Sequence, residues 1–179
     1  MTRLAVDFGT SNTAAAAPGA GVLALEPGAD TMPTALFYDP HSGEVLFGSA
    51  AVDALIEGRE GRFLRALKSV LGQPLLRETK ILGGVRTTLL EVVARYLAEV
   101  KSRADAQIGA PVSKVLSGRP VRFHSRNDAY NLQAEIDLAE AYALAGFDEV
   151  QFMPEPEAAA LASGGVAEGF GLVVDIGGG

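Results

Sequence analysis

The stretch Leu4-Ala5-Val6-Asp7-Phe8-Gly9-Thr10-Ser11-Asn12-Thr13 constrains the fold more than any other part of the chain. An apolar run delivers one carboxylate, then a glycine and two hydroxyls, and apolar character resumes over Thr13–Ala17. That grammar predicts a buried strand, a tight turn and an antiparallel return, with Gly9 taking backbone angles that a side chain would forbid. Turn amides together with the Thr10 and Ser11 hydroxyls form a cradle for an anion such as phosphate. Asp7, at the end of the strand, can hold a hydrated Mg²⁺ beside it. An ordinary hairpin whose polar groups serve only its own backbone accounts for the same residues. The other end of the chain weighs against that reading. Leu172-Val173-Val174-Asp175-Ile176-Gly177-Gly178-Gly179 repeats the order of aliphatic strand, Asp, one apolar residue and glycine. Two such units point to a two-lobed phosphate clamp, each lobe giving one carboxylate and one glycine turn.

A formal charge of -7 over 179 residues argues against nucleic acid as a partner, which would require a basic face. A nucleotide is compatible with it, being held by turn amides, Mg²⁺ and one lysine. The absence of cysteine excludes disulfides and thiolate metal sites. His41 and His124 lie far apart in loop-like contexts and read as surface residues. No apolar run approaches the roughly 20 residues needed to cross a bilayer. Asp7 and Gly9 also interrupt the N-terminal apolar region, unlike a signal peptide. No membrane partner is expected, and the cytoplasm is the expected compartment.

Along the chain, strands are expected at Val22–Leu25, Ala35–Tyr38, Glu44–Phe47 and Thr79–Leu82, with helical spacing over Gly48–Ile56. Arg62–Gly72 reads as a basic amphipathic helix ended by glycine, burying Phe63, Leu67, Val70 and Leu71, with Arg62, Arg65 and Lys68 on another face. Lys68 there is either solvated charge or a functional ammonium. The longest helical pattern is Thr88–Ile108, opened by a capping box of Thr87 or Thr88 with Glu91 and closed by Gly109. Then come a strand at Val112–Leu116, a turn at Ser117–Pro120, a helix at Ala134–Gly146, a strand at Val150–Met153, a short helix at Pro156–Ser163 and a last strand at Gly171–Asp175. Alternating helices and strands with an antiparallel front hairpin predict an α/β fold with a mixed sheet. Residues 36–87 read as a small inserted subdomain within a core of 1–35 and 88–179.

Four motifs in this order resemble the first half of the nucleotide-binding domain of the DnaK-type heat-shock chaperones, within a superfamily that includes actin, sugar kinases and bacterial cell-shape filaments. They are Asp7–Asn12, Leu67-Lys68-Ser69-Val70-Leu71-Gly72, Glu155-Pro156-Glu157-Ala158-Ala159-Ala160, and Asp175–Gly179. The resemblance implies one lobe of an actin-like (ribonuclease H-like) ATPase, with a mixed five-stranded sheet flanked by helices and a small inserted α+β subdomain. It implies an ATP or ADP site in which Gly9, Thr10, Ser11, Asn12, Gly177, Gly178 and Gly179 meet the phosphates. Asp7 and Asp175 would position Mg²⁺ through water, Lys68 would face the γ-phosphate, and Glu155 would orient the attacking water. Phosphoryl transfer needs little beyond such positioning and charge neutralisation.

The chain departs from the family in having Glu157 where the chaperones usually carry threonine, and a longer Val121–Gln133 stretch. Pro120 also lacks a clear arginine partner for the relay to a substrate domain. These features resemble a divergent bacterial branch of short chaperone-like proteins. Because the sequence stops inside a glycine loop, a cloned or proteolysed N-terminal lobe is expected. It would lack a second lobe and a peptide-binding domain, would be inactive alone and would bind ATP weakly or not at all. Partners implied are the nucleotide, the second lobe, unfolded client proteins and co-chaperones, with self-association through an uncovered cleft. A cell-shape filament protein and a sugar or acid kinase are the alternatives. Filament proteins share three of the four motifs but lack a lysine in the Lys68 context.

Overall fold

β1 (Arg3–Phe8) sends Leu4, Val6 and Phe8 into the core and leaves Ala5 and Asp7 on the opposite face, the period-two pattern expected of it. In the computed structural model, which describes residues 2–124 and 127–164, this strand is the middle of a mixed sheet. The expected strand Gly171–Asp175 and the Asp175–Gly179 turn lie outside the described residues. The chain returns from β1 through an antiparallel β2 (Asn12–Ala17), pairing Phe8 with Thr13 and Ala5 with Ala16. β3 (Gly21–Val22) and β4 (Thr31–Pro33) both pair antiparallel with β2. On the other side, β10 (Lys114–Arg119) runs parallel to β1, and β11 (Glu149–Pro154) runs parallel to β10. The sheet therefore has six strands among the described residues, against the five expected. Thr31–Pro33, outside every expected strand, pairs as β4, and the strand expected at Val22–Leu25 reaches only Val22.

Two long helices cover the Leu4–Val6–Phe8 face. α2 (Leu89–Ile108) starts with the expected capping box: Thr88 Oγ1 accepts from the Glu91 amide, and the Glu91 carboxylate accepts from the Thr88 amide at 2.6 Å. It buries Leu90, Val93, Tyr96, Leu97, Val100 and Ala104, and Tyr96 packs 6.0 Å from the Phe8 ring. Glu99 and Arg103 pair at 2.7 Å one turn apart. α3 (Asp128–Leu144) begins six residues before the expected Ala134, because the Asn127 side chain caps it by accepting from the Tyr130 amide. It buries Ala134, Leu138, Ala141 and Tyr142, and the Tyr142 hydroxyl donates to Ser117 Oγ on β10 at 2.9 Å.

The segment between β4 and α2 builds its own sheet, β6 (Val45–Phe47), β5 (Ala35–Tyr38) and β7 (Arg62–Arg65) in that spatial order, with α1 (Ser49–Ile56) against it. A hairpin of β8 (Thr79–Leu82) and β9 (Val85–Thr88) completes it. Ala35, Phe37, Ala51 and Ala54 form a small separate core, while Leu36, Tyr38, Leu67, Leu71, Leu76 and Leu82 join the main one. Glu26 fastens α1 to this junction. Its buried carboxylate accepts from the Ser49 amide at 2.9 Å, from the Ser49 hydroxyl, and from Arg103 of α2 at 3.3 Å. A negative group is favourable at that helix N-terminus.

The helix expected over Arg62–Gly72 does not form. Residues 62–65 pair antiparallel with β5, setting Leu64 opposite Leu36 and Phe63 opposite Phe37. A helical spacing of apolar residues thus yields to a strand partner that takes Phe63 and Leu64 into a ladder, as tertiary context often overrides propensity. Ala66, left-handed at φ 55°, breaks the strand, and a 3-10 turn, Leu67–Val70, follows. Consequently Arg62 and Arg65 stay exposed while Lys68 points inward, so the three cations share no face. No helix among the described residues is long and apolar enough to cross a membrane.

Candidate functional site

The three parallel strands end at the same edge of the sheet: β1 at Asp7 and Phe8, β10 at Gly118 and Arg119, β11 at Met153 and Pro154. The crevice outside the carboxyl ends of parallel strands is where open α/β sheets gather ligands. At this edge Gly118 lies between the two carboxylates. A Cβ placed on it would lie 3.5 Å from Glu155 Cγ, 3.8 Å from an Asp7 carboxylate oxygen and 3.8 Å from the Val6 carbonyl. Asp7 and Glu155 therefore flank one point, although they lie far apart in sequence.

Glu155 is there because α4 (Glu155–Ala162) begins directly where β11 stops, with Pro156 in its first turn. Lys68 reaches the same place from the 3-10 turn, and its Nζ donates to Glu155 Oε1 at 2.6 Å. Both partners are sheltered, with side chains 11% and 26% exposed. A pair so placed holds geometry because removing either charge leaves the other uncompensated.

The turn after Asp7 is held on two sides. Its Gly9 amide donates to the Asn12 carbonyl at 3.1 Å. Thr34 closes it from β4's end, its amide donating to the Ser11 carbonyl at 2.8 Å and its hydroxyl to the Gly9 carbonyl at 2.9 Å. That leaves Thr34 to accept from the buried Thr13 hydroxyl at 2.9 Å. Tyr96 underpins the arrangement, donating to the Pro33 carbonyl at 3.1 Å, and burial pushes its hydroxyl up to about 12. Gly9 is required for a reason other than the one expected. Its φ is not left-handed; instead a Cβ would sit 2.3 Å from the Asn12 carbonyl oxygen. Close approach, not backbone freedom, excludes a side chain here.

The structure thus brings together Asp7, Lys68 and Glu155, with Gly9, Thr10, Ser11 and Asn12 continuing directly from Asp7's strand. Asp175, Gly177, Gly178 and Gly179 lie outside the described residues. Glu157, the departure noted in sequence, is an exposed residue of the first turn of α4. Three residues escaped the sequence reading. Gly118 looked like part of a terminal turn, yet β10 runs through it to Arg119. His124, read as a surface residue, is half-buried and its Nε2 lies 2.6 Å from the Leu71 carbonyl, whereas His41 is exposed as expected. Asp137 is almost wholly buried and binds the Gly72 amide at 2.8 Å. The only sequence signal for Asp137 is an acid on the apolar side of a helix, next to Leu138.

Comparison with known proteins bears on the chain as a whole. No protein-family model matches the chain. It is 31% identical over 181 residues to the chaperone protein DnaK of Halobacterium salinarum, a match covering 98% of this chain and 27% of that protein. It is 32% identical over 200 residues to a chaperone protein HscA homolog of Ralstonia nicotianae, covering 99% and 31%. With DnaK of Elusimicrobium minutum it shares 32% over 186 residues, covering 98% and 28%. The chain spans less than a third of the length of these curated relatives. Over nearly its whole length the chain is similar to DnaK-type chaperones, and its mixed α/β fold is consistent with a fragment of one.

Proposed function

We propose that this chain is the first lobe of an actin-like ATPase domain in a DnaK-type chaperone, and that the edge bounded by Asp7, Gly118, Lys68 and Glu155 receives the phosphates of ATP with Mg²⁺. The observation that carries the reading is the 2.6 Å Lys68–Glu155 pair set beside Asp7 at the ends of parallel strands. The residues fit the group. Asp7 offers a single carboxylate at the strand end, beside Gly118 and Glu155. A cation beside Asp7 would keep most of its water shell, which is the habit of Mg²⁺. Asp175 would be its second carboxylate. When bound, the ion would offset phosphate charge.

This chain's own residues then have distinct tasks. Thr10 and Ser11, at the tip of the clamped turn, bind the terminal phosphates. Lys68 places positive charge against the γ-phosphate, and Glu155 orients the water that attacks it. Both rely on positions fixed before the nucleotide arrives, which is where phosphoryl transfer gains most. Residues 36–87, with their own sheet and small core, form the inserted subdomain of the lobe. The cytoplasm, a second lobe, client proteins and co-chaperones complete the picture by analogy with the relatives. Lys68 and the relatives' names favour the chaperone over a filament protein or a kinase.

The test is phosphate release from MgATP, without an acceptor substrate, by the product of the complete reading frame. Lys68→Ala should lower kcat by at least about a hundredfold. Undiminished turnover in that variant overturns the assignment. Release that requires an acceptor points to a kinase, and ATP-dependent pelleting to a filament.

A further inference from the structure

We infer that Asp137 is a positioning residue for Lys68: a buried carboxylate on α3 that grips the backbone just beyond the 3-10 turn and so fixes where the ammonium lies. Its functional meaning rests on the reading of Lys68 given above; its geometry does not.

Asp137 has a side chain only 2% exposed and every contact is specific. One oxygen accepts from the Gly72 amide at 2.8 Å, and the other from Arg77 Nη2 at 2.7 Å and Gln133 Nε2 at 2.8 Å. Arg77 is held in turn by Glu140 at 2.7 Å, and Glu140 and Asp137 together raise its already high pKa. Gly72 is pressed against α3 itself. At φ 77°, its missing Cβ would meet the Tyr130 carbonyl at 2.2 Å and the Ala134 amide at 3.0 Å. One residue earlier, the Leu71 carbonyl meets His124 Nε2, and His124 is locked to Asn131 by bonds of 2.8 and 2.9 Å.

These contacts fall just past the turn that carries Lys68, while Leu67 and Leu71 bury their side chains in the core. The near end is fixed by β7 and the left-handed Ala66. A buried carboxylate is an expensive way to fill space, and an apolar residue of similar size would pack more favourably. What a carboxylate adds is selection of one backbone amide, hence one register for the turn. A misplacement of about 1 Å at a phosphoryl-transfer site costs on the order of a hundredfold in rate.

The test compares Asp137→Ala and Asp137→Asn with Glu26→Gln, which weakens a different buried carboxylate away from the turn. In the 179-residue chain, acylation of Lys68 by an amine reagent is measured by mass spectrometry against Lys80, whose side chain is 41% exposed, all variants being held equally far below their Tm. Asp137→Ala should raise the Lys68-to-Lys80 ratio about tenfold, and Asp137→Asn, which keeps an acceptor for Gly72, about threefold. Glu26→Gln should leave it within about twofold. If Asp137→Ala does not fold, Asp137→Asn decides. A ratio that moves no more than in Glu26→Gln overturns the inference.

With the complete reading frame, Asp137→Asn should lower kcat for MgATP about tenfold with KM within about twofold. Unchanged kcat in that variant, where Lys68→Ala is inactive, also overturns it. If labelling responds while Lys68→Ala retains full turnover, the ATPase reading fails and the positioning stands.

Discussion

The turn at residues 9–12 and the segment at 62–77 both deliver side chains to the end of the parallel strands, yet they are held in opposite ways. The turn is built into the main sheet: β1 and β2 flank it, and Thr34 and Tyr96 support it through backbone carbonyls. The Lys68 turn belongs to no ladder. It hangs between a left-handed alanine and a clamp made far along the chain by Asp137 of α3 and by His124 in the loop before that helix. A ladder distributes its load over many backbone bonds, whereas the clamp concentrates it in Gly72, Asp137 and His124. Placement of Lys68 should therefore be more vulnerable to single substitutions than placement of Thr10 and Ser11.

The largest effect expected is from Gly72→Ala, which imposes a left-handed φ on a side chain and drives it into the α3 backbone. A loss of about 3–5 kcal/mol, or roughly 10 °C in Tm, is expected. Gly9→Ala also meets a carbonyl oxygen, but at an ordinary φ and in a turn that can open slightly. About 2 kcal/mol is expected there. Thermal melts of the two variants test the comparison directly, and a greater loss for Gly9→Ala would reverse it.

Next comes alkaline pH, which acts on two buried tyrosines, Tyr96 beneath the 9–12 turn and Tyr142 between α3 and β10. Burial pushes Tyr96 up to about 12 and raises Tyr142, fully enclosed between α3 and β10, further still, with Asp7's charge adding to the effect. In both, the folded state holds the phenol proton more tightly than the unfolded chain does. Their contribution to stability is thus intact below about pH 10 and is lost as pH rises through the folded values. Each should cost up to about 1.4 kcal/mol per pH unit above that point. Denaturant midpoints at pH 9, 10 and 11 measure it, and Tyr142→Phe and Tyr96→Phe should each flatten the slope. Thr34→Val should then cost about 1–2 kcal/mol, since the Gly9 carbonyl and the Thr13 hydroxyl lose their partner. A loss no larger than at an exposed threonine, such as Thr79, would show that the ladder alone holds the turn.

The two regions were also unequally legible. β1, β2, α2 with its capping box, and α4 at Glu155 follow from local pattern, because their apolar spacing agrees with the elements they form. The segment 62–72 does not. Its spacing of Phe63, Leu67, Val70 and Leu71 suits a helix, but the winning partner, β5, lies well upstream, and no local rule reveals it. Lys68 does meet Glu155, but from a turn and not from the expected helix, because motif order carries no information about the backbone between motifs. Asp137 and His124 were missed for a related reason. A clamp made of side chain to backbone bonds has no composition, and a buried acid becomes visible only when its amide partner is found. Gly118 stayed hidden as well, since its place between Asp7 and Glu155 depends on strand pairing that no local pattern reports.

The smallest effect expected is also the one that separates strain from packing in the Lys68 turn. Ala66 is the one non-glycine residue with positive φ among the described residues. That conformation costs an alanine roughly 1 kcal/mol, while Gly in its place would forfeit about 0.5–1 kcal/mol through a freer unfolded chain. The terms nearly cancel, so Ala66→Gly should shift Tm by no more than about 2 °C, in either direction. Its effect on Lys68 should be larger than its effect on stability, because the near end of the turn loses a stiff residue while the clamp at Leu71 and Gly72 remains. Lys68 acylation should rise about twofold over Lys80, well short of the Asp137→Ala response. Equal responses in the two variants would mean that both ends of the turn carry the same load, and the contrast drawn between a ladder and a far-end clamp would then have to be given up.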